Sequence, residues 1–405
     1  MGSKAAVSYS IDRDSYKAGK NMSLNALSDA GINNCDFALI FASSEHEPAK
    51  LLKGVRSVLG ANTKLLGGTS AGVITNDYLG YDGAHAGILI IASDEITFTT
   101  LIDSELGDDE YESGRRIGHR ISESNEFPDT NILLFYDSIK RSNTELSPFL
   151  QANPILKGIK SELGAFPPTA GVGLVGGAMA VKRTEMWHNN DILNGALVSL
   201  LISGNVRLDS TIMHGCKPAS DYHLITKVKG NKLLEFDGKP ALEVAMDHLG
   251  IPDDVDWRNA MYLITIGVNK GEKYGPFIEE DYVNRIVLGV DEKESAIIVM
   301  EGDLNEGDSF QFMRRSINTD MIGDIARKLL ESLGNRQPLF AFYISCLGRI
   351  KKYFGNEKEE AEEIQEAIGP DMPLLGIYSG TEIARVKSEI MPLDWTGVLC
   401  IFSTT

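Results

Sequence analysis

Two kinds of apolar pattern alternate along the chain. Residues 37–42, 87–92, 131–136, 195–203, 339–345 and 397–403 are short, nearly unbroken apolar runs, the pattern of strands buried on both faces. Between them, residues 14–30, 47–59, 110–124, 147–163, 318–333 and 357–367 carry apolar positions at helical spacing. In 47–59, for example, Ala49, Leu52 and Val55 fall on one helix face. A charged strand at 95–102 is predicted to pair with 87–92 in a hairpin, and 206–213 is predicted to be a second such arm. Residues 216–315 differ in character. Segments 221–228, 232–236, 239–249 and 261–268 and strands around Val287 and Ile297 are separated by turn residues such as Asp237-Gly238, Gly302-Asp303 and Gly307-Asp308.

The order helix, strand, helix, glycine turn, strand recurs. Leu65-Leu66-Gly67-Gly68-Thr69-Ser70-Ala71-Gly72-Val73-Ile74 aligns without gaps on Leu374-Leu375-Gly376-Ile377-Tyr378-Ser379-Gly380-Thr381-Glu382-Ile383. Ser70 stands 17 residues before the strand opening at Gly87, and Ser379 stands 18 before Gly397. A fainter third copy, Gly171 to Gly177, lies 18 residues before Gly195. Fixed order and spacing of this kind mark internal duplication. The expected fold is therefore α/β: duplicated strand–helix–strand units forming mixed sheets covered by helices, in two halves. Residues 1–215 hold two units, and 216–405 hold a β-rich insertion (216–315) and a third unit (316–405).

Composition narrows the function. A net charge of −18 argues against nucleic acid or an anionic membrane as the main partner. No apolar run approaches 18 residues and the N-terminus has no apolar leader, so a cytoplasmic protein without membrane insertion is expected. Cys35, Cys216, Cys346 and Cys400 have neither CxxC nor metal-ligand spacing, which fits free thiols in a reducing compartment. The histidines, at 46, 85, 119, 188, 214, 223 and 248, form no HxxxH or HExxH, so no metal site is expected. A single axial histidine for haem needs no motif at all.

Two motifs lack their context. Gly68-Thr69-Ser70-Ala71-Gly72 has the letters of a nucleophile elbow, but β-branched and turn residues follow where a helix is required. Gly171-x-Gly173-x-x-Gly176 has those of a dinucleotide fingerprint, again without a following helix. A tight turn of small residues explains both. Cys346, Arg349 and Glu382 carry more chemistry. They lie on turns after predicted strands, where α/β sheets gather ligands. Arginine suits a carboxylate or phosphate, and a glutamate opposite it suits an ammonium, while an internal ion pair ordering the turns would use the same residues.

The chain resembles the FIST sensory family. The resemblance rests on Gly67-Gly68-Thr69-Ser70-Ala71-Gly72, Gly176-Gly177, His214-Gly215-Cys216-Lys217-Pro218 and Leu234-Glu235-Phe236-Asp237-Gly238-Lys239-Pro240-Ala241. It continues through Gly302-Asp303 to Gly307-Asp308, Ser345-Cys346-Leu347-Gly348-Arg349, and Gly376-Ile377-Tyr378 with Glu382-Ile383. It implies a non-enzymatic sensor that binds a small ligand, with amino acids the suggested class, and signals through a separate protein such as a kinase or chemoreceptor. Some members look like haem-dependent nitric oxide sensors. The chain departs from the family at Thr381 between Gly380 and Glu382, at Ala178-Met179-Ala180, and at Asp394-Trp395-Thr396. The expected ligand-binding residues are Gly68, Thr69, Ser70, Cys346, Arg349, Ser379 and Glu382, with no catalytic or metal residues. The alternatives are haem as cofactor and a hydrolase using Ser70 or Cys346.

Overall fold

A computed structural model describes residues 2–107, 109–139, 149–177, 184–250, 263–316, 319–354 and 358–405. The starts of the predicted segments at 147, 261, 318 and 357, and Ala178-Met179-Ala180, lie outside the described residues.

The first unit runs β1 (Lys4–Ser10), α1 (Ser15–Ala30), β2 (Phe37–Ala42), α2 (Pro48–Leu59), β3 (Lys64–Thr69), a short hairpin β4 (Val73–Ile74) and β5 (Leu79–Gly80), then β6 (Ala86–Ala92). The second repeats the order: β7 (Ile96–Asp103), α3 (Glu110–Ser122), β8 (Thr130–Asp137), α4 (Ala152–Leu163), β9 (Thr169–Leu174), hairpin β10 (Met186–His188) and β11 (Asp191–Leu193), and β12 (Leu197–Gly204). The third begins with β13 (Arg207–Met213) and is interrupted by β14 (Cys216–Pro218), β15 (His223–Lys229), β16 (Lys232–Phe236), β17 (Lys239–Pro240), α5 (Ala241–Leu249), β18 (Thr265–Asn269), β19 (Tyr282–Asp291), β20 (Ala296–Val299) and β21 (Ser309–Arg315). It resumes with α6 (Asp320–Ser332), β22 (Gln337–Cys346), α7 (Lys351–Phe354), α8 (Glu360–Ile368), β23 (Leu374–Ser379), hairpin β24 (Thr381–Val386) and β25 (Glu389–Leu393), and β26 (Gly397–Thr404). The α/β class and the three repeats follow the expectation.

Pairing between units does not. In each unit the two central strands are parallel (β2–β3, β8–β9, β22–β23), with the closing strand antiparallel beside them. The expected hairpin between 87–92 and 95–102 is absent. β6 is already bonded by β1 and β2, so β7 crosses to the next sheet and pairs with β12. β12 in turn has β7 and β8 on its two sides, and β13 moves on to β26. The small hairpins cross the other way: β10 joins β3, β24 joins β9, and β4 joins β23. The register is the same each time, with Trp187 opposite Gly67, Ile383 opposite Gly171 and Ile74 opposite Gly376. The units are thus linked in a closed cycle.

The sheets face one another around a common apolar centre. Phe41, Phe135 and Phe342, one from each unit, form a triangle with ring centroids 6.1, 5.9 and 6.3 Å apart. Helices cover the outer faces: α1 and α2 on the first sheet, α3 and α4 on the second, α6 and α8 on the third. In the insertion β18, β19, β20, β16, β15 and β21 pair in sequence and β21 returns to β18, which closes a small barrel around Phe236, Phe310 and Phe312. Among the described residues no helix is long and apolar enough to cross a membrane.

Candidate functional site

The carboxyl ends of the three parallel strand pairs meet at one end of the ring, and their turns are bonded in a cycle. Thr69 N–H donates to Glu185 O (2.8 Å), Tyr378 N–H to Gly72 O (3.2 Å), and Gly380 N–H to Gly173 O (2.8 Å). Small residues are required because backbones touch here. A Cβ on Gly67 would lie 1.7 Å from Ile40 O, the carbonyl that accepts the Trp187 indole N–H at 3.0 Å. One on Gly68 would meet Glu185 O at 2.8 Å.

All the expected ligand-binding side chains are buried at this end. The hydroxyls of the first turn bond to backbone. Thr69 Oγ1 accepts from Glu185 N–H (3.0 Å), and Ser70 Oγ lies 2.6 Å from Gly72 O and 3.2 Å from Tyr378 O. Both lock turns of different units together. Cys346 is a neutral thiol: burial first, then the neighbouring Glu382, pushes its pKa well above the usual range.

The structure separates Arg349 from Glu382. The Arg349 guanidinium pairs with Glu360 at the start of α8 (2.5 Å) and donates to His214 O and Trp395 O, both at 2.9 Å. Burial alone would lower its pKa, but the Glu360 carboxylate outweighs this and keeps it charged. Arg315 shares Glu360 from the other side and lies over the Trp395 ring, so two guanidiniums flank one carboxylate. His214, whose carbonyl Arg349 holds, has both ring nitrogens engaged, one with Glu279 O and one with Cys216 N, each at 2.9 Å.

Glu382 sits on the other side of the Asp394-Trp395-Thr396 turn. Its carboxyl contacts Ser379 Oγ (2.6 Å) and accepts from Thr396 N–H (3.3 Å). Burial pushes its pKa well above the usual carboxylate range, and Asp394 adds to the shift. Asp394 accepts from Ile286 N–H (3.0 Å) and faces Arg285, which forms a forked pair with Asp303 at 2.7 and 2.5 Å. Glu301, from the insertion, caps the first turn of α4 through Ala152 N–H (2.8 Å) and Asn153 N–H (3.1 Å). The site therefore has a basic side (Arg315, Arg349) and an acidic side (Glu382, Asp394, Glu301) with Trp395 between them.

Glu360 as the partner of Arg349, and the buried Tyr136, carried no sequence signal. Tyr136 lies in an apolar run that gives no sign of a site. Thr381 and Asp394-Trp395-Thr396, both departures from the family pattern, were the visible signals. In the first unit His46 and His85 are also buried, and burial lowers the pKa of His85 to about 4. Among the described residues no three His, Cys, Asp or Glu side chains are placed to hold a metal ion.

Comparison with known proteins fits this architecture. The FIST N domain matches residues 36–239 and the FIST C domain residues 241–385. The chain belongs to the FIST family. An uncharacterized protein of Mycobacterium tuberculosis H37Rv is 25% identical over 57% of this chain and 60% of its own length. The FIST chain thus spans about 60% of that relative. An uncharacterized protein of Methanocaldococcus jannaschii is 24% identical over 85% of the chain and 67% of its own length. Among solved structures, a cyanuric acid hydrolase from A. caulinodans overlaps 50% of the chain and 71% of its own at 8% identity and a TM-score of 0.27, which supports no further comparison.

Proposed function

We propose that this FIST protein is a cytoplasmic, non-enzymatic sensor that binds an amino acid or a similar small metabolite where the three glycine turns meet. Occupancy would pass to a separate signalling protein. FIST domains are of sensory type, and membership extends over nearly the whole chain. The observation that carries the reading is the pairing of opposite charge at this end: a carboxylate group would meet the surplus positive charge of Arg315 and Arg349, and a cationic group the surplus acid around Glu382. A thermal-shift screen of amino acids and small metabolites tests it. Free ligand at 100-fold excess over its Kd should add about 2.7 kcal/mol of stability, and a screen in which no compound stabilises the chain would sink the reading.

The hydrolase alternative has less support. Ser70 Oγ is directed at backbone carbonyls, no histidine bonds it among the described residues, and Cys346 is held as the thiol. For haem, His214 has no free ring nitrogen. The grooves of about 530 Å³ beside Cys35 and Phe98 and about 500 Å³ beside Tyr9 and Asp77 carry no histidine. Neither His214 nor these two grooves fit a haem site.

A further inference from the structure

Each unit leaves one strand at a sheet edge. β1, β7 and β13 pair only with β6, β12 and β26 among the described residues. Ser43 N–H donates to His85 O, Asp137 N–H to Ala196 O and Cys346 N–H to Thr396 O, which fixes the alternation of hydrogen bonds along each closing strand. Ala6 and Ser8 therefore bond β6, while Ala5, Val7 and Tyr9 turn their backbone N–H and C=O groups outward. By the same alternation Ala5 matches Phe98 and Leu208, and Tyr9 matches Ile102 and Ile212.

The three edges are not alike. On β7 the Phe98 carbonyl accepts from Lys64 Nζ and the Ile102 carbonyl from the Arg120 guanidinium, each at 2.6 Å. On β13 Leu208 N–H donates to Asn131 Oδ1 at 2.9 Å. On β1 the outward groups of Ala5, Val7 and Tyr9 meet no partner among the described residues. Its sequence from Ala5 to Ser10, Ala-Ala-Val-Ser-Tyr-Ser, holds no charge and no proline. A bare edge of this kind is a template for another strand, and proteins that do not use such an edge block it. A groove of about 500 Å³ lies along β1, lined by Val7, Tyr9, Asn25 and Ser28 of α1, and Asp77.

We propose that the free edge of β1 binds a second copy of this chain, in an antiparallel two-fold pair centred on Val7 that merges two six-stranded sheets into one. Such a contact is isologous, the commonest kind in dimers. Val7 then faces Val7 of the second copy, and Ala5 faces its Tyr9, so a small side chain meets a large one on the same side of the sheet. On the other side, the short side chains of Asn25 and Ser28 leave space for α1 of the second copy. Charge selects both the orientation and the partner. Lys4 stands at one end of β1, and Asp12, Arg13, Asp14 and Asp77 make the other end net negative. Antiparallel pairing puts Lys4 opposite Ser10 of the second copy and diagonal to its Asp12, and the two-fold axis repeats the contact. Parallel pairing would set Lys4 against Lys4 and acid against acid. The chain thus carries the complement of its own edge.

The test uses the full chain. Sedimentation equilibrium at micromolar concentration and above should give the mass of two chains. In hydrogen exchange, the amides of Ala5, Val7 and Tyr9 should gain protection as concentration rises, while those of Ala6 and Ser8, already bonded to β6, should be slow throughout. Val7→Pro removes an N–H that no bond within the chain uses, so it should give a cooperatively folded monomer. Lys4→Glu should raise the dissociation constant of the dimer at least about threefold, and adding Asp12→Lys should restore it. A dimer whose Ala5, Val7 and Tyr9 amides exchange freely would overturn the proposal, as would a folded Val7→Pro chain that is still dimeric or a Lys4→Glu chain that dimerises as tightly as wild type. Where Val7→Pro does not fold, the exchange pattern and the charge swap decide. A monomer at every concentration would also overturn it, and would leave the edge to a strand of some other protein.

Discussion

Arg349 shows how one buried charge can be read in two ways. From the sequence it is a ligand-binding residue; in the fold it holds the carbonyls of His214 and Trp395 and shares Glu360 with Arg315. Its position beyond a buried strand was legible, because the apolar run 339–345 and the turn after it are local features. Its partner was not, since Glu360 lies in an acidic stretch that resembles a solvated helix face. The network predicts an order of effects. Removing one partner of a buried pair typically costs about 3–5 kcal/mol. Arg349→Ala leaves Glu360 its second guanidinium and should fall at about 3 kcal/mol, toward the lower end of that range. Glu360→Ala leaves two buried guanidiniums facing each other and should cost more. Urea unfolding of both variants gives the comparison, and a milder loss in Glu360→Ala would contradict the shared-carboxylate arrangement.

At the scale of elements, the helices are legible from periodicity, but the closeness of their packing is not. In the second unit α3 and α4 cross at Gly114 and Gly158, where added Cβ atoms would lie 2.1 Å from Ile155 O and 2.1 Å from Tyr111 O. In the first unit Gly19 and Gly54 make the same contact across α1 and α2, at 2.2 and 2.1 Å from Leu51 O and Tyr16 O. The third unit differs. A Cβ on Gly323 of α6 would meet only the ends of Arg327 and Glu363, at 3.2 Å. Sequence marks all five positions alike, as glycines in predicted helices. Alanine gains about 1 kcal/mol of helix propensity over glycine, while forcing extra volume into a packed contact costs about 1–3 kcal/mol. At Gly114 the obstacle is another helix's backbone, so Gly114→Ala should lose about 1–2 kcal/mol net. At Gly323 the obstacles are mobile side-chain ends, so Gly323→Ala should be neutral or gain up to about 1 kcal/mol. Thermal midpoints moving in the same direction for the two variants would refute the distinction.

At the scale of the molecule, the repeat was visible in the chain and the exchange between repeats was not. Alternation, glycine turns and spacing are local, whereas the crossing of β7, β13 and the hairpins is decided by which sheet edges remain free once the central strands have paired. That exchange bears on whether the halves 1–215 and 216–405 are independent. Without the second half, the β4–β5 hairpin has no β23 to join and β9 loses β24 and β25. The central triangle also loses Phe342, and the apolar face that Phe342, Ile344 and Val398 cover becomes solvated. A domain able to fold alone needs its own closed core. Residues 1–215 expressed alone should therefore show no cooperative urea transition and no near-ultraviolet signal from Trp187, whose ring is packed against Gly67. Co-expression with 216–405 should restore both, because every exchanged strand then finds its sheet. A fragment 1–215 that unfolds cooperatively by itself would mean that hairpin exchange adds little to folding, and the turns it joins would then need another reason to be held so close.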